Sequence, residues 1–239
     1  ISYGNIHRGV NVNVHRQSSF SNEEYRYSLI MPKVKPISTM LVKSVQRVLK
    51  QRKRGSTERG LYIGTRLDHT SYYKNDGKIF TKRSMPNDNI DMAVGVLVDM
   101  SGSMDGERIA AAQLMSLIVY DFCRQLDIPV TIYGHNYSCG VDLYSFSEFD
   151  SVDGKDKYRL MNMKARCCNR DGCAVRYVAE KLVKRNEQLK LMIVVSDGQP
   201  YAGAYFGTGA EQDLQSIKRE YERKGITLFA AAIGDDHDA

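Results

Sequence analysis

The sequence lacks the short motifs that mark several large enzyme classes. It contains no GxxxxGK[ST] phosphate loop, no HExxH zinc-protease string, no DxDxT phosphatase string and no GxSxG nucleophile elbow. None of its five histidines lies close in sequence to the acidic motifs described below. We therefore do not expect the chain to hydrolyse ATP, and we keep a metal-dependent hydrolase only as an alternative.

Long apolar runs are missing as well. No stretch is long enough to cross a membrane, and the first residues do not resemble a signal peptide. The chain starts at Ile1 rather than at a methionine, which indicates a piece of a longer protein. Together these features predict a cytoplasmic protein with no membrane segment.

The cysteines offer no disulfide framework. They are five, an odd number, and they include no CxxC pair. Without an export signal, reduced thiols are the simplest expectation. The group formed by Cys167, Cys168 and Cys173 does not have the spacing of a structural zinc site.

Acidic residues are scarce in the first part of the chain. Residues 1–90 contain 17 Lys and Arg against 6 Asp and Glu, whereas residues 91–239 contain 17 against 22. This split predicts a basic N-terminal extension over 1–90 and a second domain over 91–239. Within the extension we expect an irregular or extended arm up to Pro36, one helix near 38–52 and an edge strand near 78–84.

The stretch Met92–Met104, MAVGVLVDMSGSM, organises the second domain. Its apolar run Ala93–Val98 is short and rich in β-branched residues, which is typical of a buried central strand. The run ends on Asp99, and two hydroxyls follow at Ser101 and Ser103. A helical pattern comes next, so the polar cluster lies where a strand passes into a helix, the place where open α/β sheets bind ligands.

Carboxylate and hydroxyl oxygens are hard ligands, which suit Mg²⁺ or Mn²⁺ better than zinc. A helix N-terminus repels a cation, so more than one carboxylate is needed to hold the ion there. A different interpretation is that Asp99, Ser101 and Ser103 only cap the helix.

Two further acids occupy comparable places. Asp197 follows the apolar run Leu189–Val195, and Asp171 precedes a helical pattern that starts in NRDGCA. Strands alternate with helices here, which predicts an α/β fold with a doubly wound, mostly parallel sheet flanked by helices. Parallel strands end at one edge of the sheet, and the helices begin there. The three acids and the two hydroxyls are therefore expected to converge.

These motifs resemble those of a known family. Asp99-x-Ser101-x-Ser103 resembles the first motif of the metal-ion-dependent adhesion site of von Willebrand factor A (VWA) domains, and Asp197 in VVSDGQP resembles its later aspartate. The family's usual threonine is replaced here by Asp171. With VLVDMSGSMDGERI, this N-x-D-G-x-A string resembles the CobT-type subunit of cobaltochelatase and its NorD-type relatives, which are nitric oxide reductase activation proteins.

The resemblance implies a metal-dependent protein-interaction module. Its cation, Mg²⁺ or Mn²⁺, would be held directly by Ser101 and Ser103, and directly or through water by Asp99, Asp171 and Asp197. The implied partners are a AAA+ ATPase subunit and a client protein, in a chelatase-like or activation complex such as cobaltochelatase. VWA domains usually continue with another strand and helix, so we expect the C-terminal end of this domain to be incomplete.

RNA binding is a less favoured alternative. Residues 1–90 interleave basic residues with tyrosines, and Arg52-Lys53-Arg54 forms a basic run that could also be a solvated helix end. No RNP or GxxG pattern accompanies them.

Overall fold

The chain forms two compact units, one of Ile1–Ser38 with Asp91–Ala239 and one of Thr39–Ile90. The expected boundary at residue 90 differs from this division, because the first 38 residues belong to the same unit as residues 91–239. A computed structural model describes residues 1, 3–18, 21–52, 57–64, 66–74, 76–83, 91–198, 201–202 and 205–234.

Strands and helices alternate through most of the chain. In sequence order they are β1 (Val12–Arg16), α1 (Ser21–Arg52), β2 (Thr57–Leu61), β3 (Arg66–Leu67), β4 (Phe80–Arg83), β5 (Met92–Asp99), α2 (Glu107–Gln125), β6 (Val130–Tyr137), β7 (Val141–Ser147), α3 (Asp156–Arg159), α4 (Asp171–Val183), β8 (Leu189–Ser196), β9 (Tyr201–Ala202), β10 (Tyr205–Phe206), α5 (Gly207–Arg223) and β11 (Ile226–Ala232).

A six-stranded sheet forms the centre of the larger unit. Its strand order is β1-β7-β6-β5-β8-β11. All neighbouring strands are parallel except β6 and β7, which form an antiparallel hairpin. This is the doubly wound, mostly parallel sheet that the sequence predicted, with β5 among its inner strands.

Strand β5 is buried on both faces, which explains its unbroken apolar sequence. On one face, Ala93 and Leu97 join the core formed with α4 and α5. Gly95 lies on the same face, where a Cβ would come within 2.9 Å of Leu182 and 3.1 Å of Val178. Glycine at this position therefore lets α4 approach the sheet closely.

The N-terminal residues differ from the expected arm. β1 pairs in parallel with β7 and forms an edge of the central sheet. The polar sequence VNVHR hid this strand, because four of its five residues are exposed and it is held mainly by main-chain pairing. The arm predicted up to Pro36 is wrong on this point.

The helix predicted near residues 38–52 begins much earlier, at Ser21. Pro32 and Pro36 had suggested irregular backbone, yet both lie inside α1. Ser38, expected as an N-cap, is instead fully buried within the helix, and its hydroxyl bonds Lys35 O and the Asp121 carboxylate. Residues 53–54 of the basic run lie outside the described residues.

In the smaller unit, the strand expected near residues 78–84 is β4. It is not an edge strand, because it lies between β2 and β3 in a separate antiparallel sheet. Residue 84, the last of the predicted strand, lies outside the described part of the chain. Residues 235–239 lie outside it too, so the expected incomplete C-terminal end stays a prediction.

No helix among the described residues is both long enough and apolar enough to cross a bilayer.

Candidate functional site

The turn after β5 is organised by Asp99. This residue is fully buried, and its Oδ1 accepts the Ser101 N–H at 2.8 Å. α2 starts only at Glu107, after Gly106, and has no side-chain cap hydrogen bond. The interpretation that Asp99 and the serines cap this helix is therefore wrong.

Two hydroxyls and a second carboxylate form a chain beside Asp99. The Ser101 and Ser103 hydroxyl oxygens are 3.0 Å apart, and Ser103 donates to Asp197 Oδ1 at 3.0 Å. Arg108 Nη1 contacts Asp197 Oδ2 and Ser103 O, at 3.0 and 3.1 Å. The structure thus brings the DxSxS turn and the end of β8 together, as the sequence predicted, and adds an arginine.

The second oxygen of Asp99 has partners that the sequence did not reveal. Oδ2 accepts hydrogen bonds from Asn169 Nδ2 at 3.0 Å and from the Ser196 hydroxyl at 3.2 Å. Asn169 belongs to the NRDGCA string, and Ser196 directly precedes Asp197. Both donors come from segments that carry a predicted site acid, and they fix the orientation of the Asp99 carboxylate.

The main chain around the turn is also tied down. Gly102 N–H donates to Cys167 O at 2.6 Å, and Arg166 N–H donates to Met100 O at 2.5 Å. The loop before Asn169 therefore runs along the DxSxS turn. This contact fixes the distance between the two segments that supply the site residues.

Asp171 is the first residue of α4 and is 5% exposed. The helix has no side-chain cap hydrogen bond, so Asp171 is not a plain cap. Its Oδ1 accepts no hydrogen bond from the described residues. Burial, together with the negative charges of Asp99 and Asp197, raises the pKa of Asp171 well above its usual range. The three predicted acids therefore lie close enough to act on one another.

A histidine that sequence reasoning missed reaches the same place. His135 pairs with Asp99 in the register of β5 and β6, and its Nε2 lies 3.4 Å from Asp171 Oδ1. It is fully buried, and burial lowers its pKa although Asp99 acts in the opposite direction. The predicted strand stopped at Tyr133. Extending it through Gly134 would have placed His135 beside Asp99.

The donor set suits a hard divalent cation in its chemistry, since it offers three carboxylates and two hydroxyls. Within the described residues, however, no three His, Cys, Asp or Glu side chains stand in an arrangement ready to hold an ion. The fit therefore depends on serine hydroxyls and water as well as carboxylates. Asp171 contributes a buried oxygen that no described residue satisfies.

A buried cluster of polar side chains packs around the start of α4. His7 Nε2 lies 2.9 Å from Asp213 Oδ2, and Arg170 Nε donates to His7 Nδ1 at 2.9 Å. Asp213 also accepts hydrogen bonds from Arg176 at 3.0 Å and from the Tyr205 hydroxyl at 3.0 Å. Because Arg170 adjoins Asp171, this cluster links the N-terminal segment to the candidate site.

Comparison with curated proteins finds remote relatives. The chain is 23% identical to protein YojO of Bacillus subtilis (strain 168) over 229 residues, covering 89% of this chain and 35% of YojO. It is 27% identical to protein NorD of Brucella abortus (strain 2308) over 166 residues, covering 65% of this chain and 26% of NorD. The chain thus spans about a third of one relative and about a quarter of the other.

Among solved structures, the chain is similar to the PilB minor pilin from Streptococcus sanguinis. The TM-score is 0.47 with 16% identity, over 64% of this chain and 52% of the pilin chain. The sequence model of the family described as von Willebrand factor type A domain matches residues 94–239, which is more than half of the chain. The chain therefore belongs to the von Willebrand factor type A domain family.

Proposed function

We propose that this VWA domain is a metal-dependent protein-interaction module, with Mg²⁺ or Mn²⁺ held by Asp99, Ser101, Ser103, Asp171 and Asp197. The observation that carries the proposal is the buried Oδ1 of Asp171, which has no hydrogen-bond donor among the described residues although two other carboxylates lie nearby. When bound, the cation supplies positive charge and a coordination position that an oxygen ligand of a partner protein can complete.

The protein residues have distinct parts in this proposal. Asp99 is oriented by Asn169 and Ser196, so its carboxylate is fixed before an ion arrives. Asp197 is paired with Arg108, whose side chain is 46% exposed. An incoming cation therefore competes with a guanidinium for Asp197.

The first experiment is calorimetric titration of Mg²⁺ and Mn²⁺ into the wild-type chain and into Asp171→Thr. We expect Asp171→Thr to bind the ions at least about tenfold more weakly, since unit charges ~4 Å apart interact by about 4 kcal/mol at an effective dielectric constant near 20. The variant should also accept an added carboxylate ligand more readily. Asp142→Asn is the matched control, because Asp142 bonds Asn13 and His15 at the sheet edge.

Equal or tighter ion binding by Asp171→Thr would place Asp171 outside the cation site. Absence of binding by the wild-type chain would refute the site as a whole. The control variant Asp142→Asn should bind the ions with unchanged affinity. This result would show that removing a carboxylate away from the site does not weaken ion binding.

We further propose that the partners are a AAA+ ATPase subunit and a client protein, in a cytoplasmic chelatase-like or activation complex. The similarity to NorD and the N-x-D-G-x-A string support an activation complex of the NorD type, with a complex of the cobaltochelatase type as the alternative. The absence of a phosphate loop from the sequence supports a non-ATPase role.

Affinity purification from the native host, with and without Mg²⁺ and nucleotide, tests the partner. Recovery of a AAA+ ATPase is the expected result. Recovery of no ATPase under any condition would contradict this part of the proposal, as would ATP hydrolysis by the purified chain alone.

A further inference from the structure

His135 is a buried imidazole, and neither of its ring nitrogens has a hydrogen-bond partner in the described part of the chain. Among the described residues, four buried side-chain atoms lack a partner: both ring nitrogens of His135, Asn136 Oδ1 and Asp171 Oδ1. Successive side chains of a strand point to opposite faces of the sheet, so Asn136 lies on the other face from His135. The other three atoms belong to His135 and Asp171, which lie against each other. Buried polar groups are normally satisfied, so unsatisfied groups at one place call for a missing ligand.

The distance between two of these atoms fits a shared ion. His135 Nε2 and Asp171 Oδ1 are 3.4 Å apart without forming a hydrogen bond. Two ligand atoms that are each about 2.1 Å from one metal ion, at an angle of about 90–110°, lie about 3.0–3.4 Å apart. The imidazole nitrogen and the carboxylate oxygen are thus placed as neighbouring ligands would be.

The position of His135 follows from the sheet. It stands opposite Asp99 in the parallel pairing of β5 and β6, at the strand ends where the site lies. Its exposure is 0%, so the ring cannot satisfy its nitrogens with bulk water. Neutral imidazole offers a nitrogen lone pair, which is the form that binds metals.

We propose that His135 is a nitrogen ligand of the cation site, which makes the site select first-row transition ions such as Mn²⁺, Fe²⁺ or Co²⁺ over Mg²⁺. This inference rests on the proposed cation site and names its ion class. Imidazole suits transition metals, whereas Mg²⁺ prefers oxygen ligands and water. The direct ligands would be His135, Asp171 and the hydroxyls of Ser101 and Ser103 together with water, while Asp99 and Asp197 would act through water. The direct set then contains only two His, Cys, Asp or Glu side chains, in line with the absence of a ready group of three among the described residues.

Mn²⁺ bound to the whole chain is the probe. Pulsed electron paramagnetic resonance reports a directly bound nitrogen as a characteristic modulation. We expect this modulation in the wild-type chain, a change in it when the histidines are labelled with ¹⁵N, and its loss in His135→Gln. The exposed His15 supplies the control, since His15→Gln should keep the modulation.

Calorimetry measures selectivity on the same proteins. All nitrogen and oxygen sites favour transition ions to some degree. The role of His135 is therefore tested by comparing the ratio of Mn²⁺ to Mg²⁺ affinity in the wild-type chain and in His135→Gln. We expect His135→Gln to retain Mg²⁺ affinity within about threefold and to lose at least about tenfold in Mn²⁺ affinity. An unchanged ratio of the two affinities would overturn the role of His135 in selectivity.

The outcomes separate the two proposals. Bound Mn²⁺ without nitrogen modulation, or with modulation that survives in His135→Gln, overturns the present inference and leaves the cation site standing. A wild-type chain that binds no divalent ion overturns the cation site itself. Should His135→Gln fail to fold, the effect of ¹⁵N-histidine labelling and the His15→Gln control still decide whether a histidine other than His15 binds the ion.

Discussion

Gly172 shows how closely single residues are fitted around the start of α4. A Cβ at this position would lie 2.5 Å from His7 Nε2 and 2.8 Å from the Tyr205 hydroxyl, and would also collide with the Asp213 carboxylate. The glycine of the NRDGCA string is therefore required by close approach of the buried polar cluster. It adjoins Asp171, so the same fit positions the candidate site.

The two histidine–aspartate pairs of the N-terminal segment offer a matched comparison. His7 is 0% exposed in its pair with Asp213, whereas His15 is 51% exposed in its pair with Asp142. We expect His7→Ala to lower the free energy of unfolding by about 1–3 kcal/mol, because it leaves buried partners unsatisfied. His15→Ala should change it by less than about 0.5 kcal/mol. Urea unfolding of both variants makes the comparison, and equal effects would contradict it.

Asp213 gives this cluster a predictable dependence on pH. Burial acts to raise its pKa, but hydrogen bonds from His7 and Arg176 outweigh burial and hold the pKa below its usual range. A lowered pKa in the folded chain means that these contacts stabilise the fold above about pH 4, the ordinary carboxyl pKa. That stabilisation is lost as pH falls through the lower, folded-state pKa.

The corresponding measurement compares the wild-type chain with Asp213→Asn in urea unfolding at several pH values. The stability advantage of the wild type should be constant between about pH 7 and 5 and should shrink below about pH 4. An advantage that stays the same down to about pH 3 would show that the ionised carboxylate is not what stabilises the cluster.

At the scale of elements, the sequence predicted the strands that contain a run of apolar residues. β5 is buried on both faces, and β8 is apolar from Leu191 to Val195, so their ends, and with them Asp99 and Asp197, could be located. Strand β1 could not be predicted in the same way, because it is exposed and its pairing is made by main-chain groups. His135 was missed because Gly134 resembled the start of a turn.

Replacing a glycine by alanine should have opposite effects on stability in β5 and in α5. Gly95→Ala should lower the free energy of unfolding by about 1–3 kcal/mol, because Leu182 and Val178 of α4 leave no room for it. Gly209→Ala in α5 should raise it by up to about 1 kcal/mol, since the nearest atom is 3.9 Å away and alanine favours helix. Thermal and urea unfolding test both signs. A stabilising Gly95→Ala would disprove the close approach of α4.

At the scale of the larger unit, the central sheet includes a strand that lies before residue 94, where the match to the family model begins. The family model covers residues 94–239, whereas β1 completes one edge of the sheet next to β7. The unit therefore depends on residues outside the part that defines the family. Sequence comparison alone could not show this, because the dependence is carried by pairing across a long separation in sequence.

Deletion of residues 1–17 tests that dependence. We expect a lower unfolding temperature and a greater tendency to aggregate, because β7 becomes an open edge and the His7 contacts are lost. A synthetic peptide of residues 3–17, added in trans, should restore part of the stability. A shortened chain with unchanged stability and solubility would show that β1 is dispensable.

The distance in sequence between His7 and its partners has a further consequence during synthesis. His7 and Asp213 are 206 positions apart. At a translation rate of about 5–20 residues per second, the first histidine leaves the ribosome roughly 10–40 s before its carboxylate partner exists. The contacts of His7 with Asp213 can therefore form only after α5 has been made, whereas β1 can pair with β7 as soon as residues 141–147 have emerged.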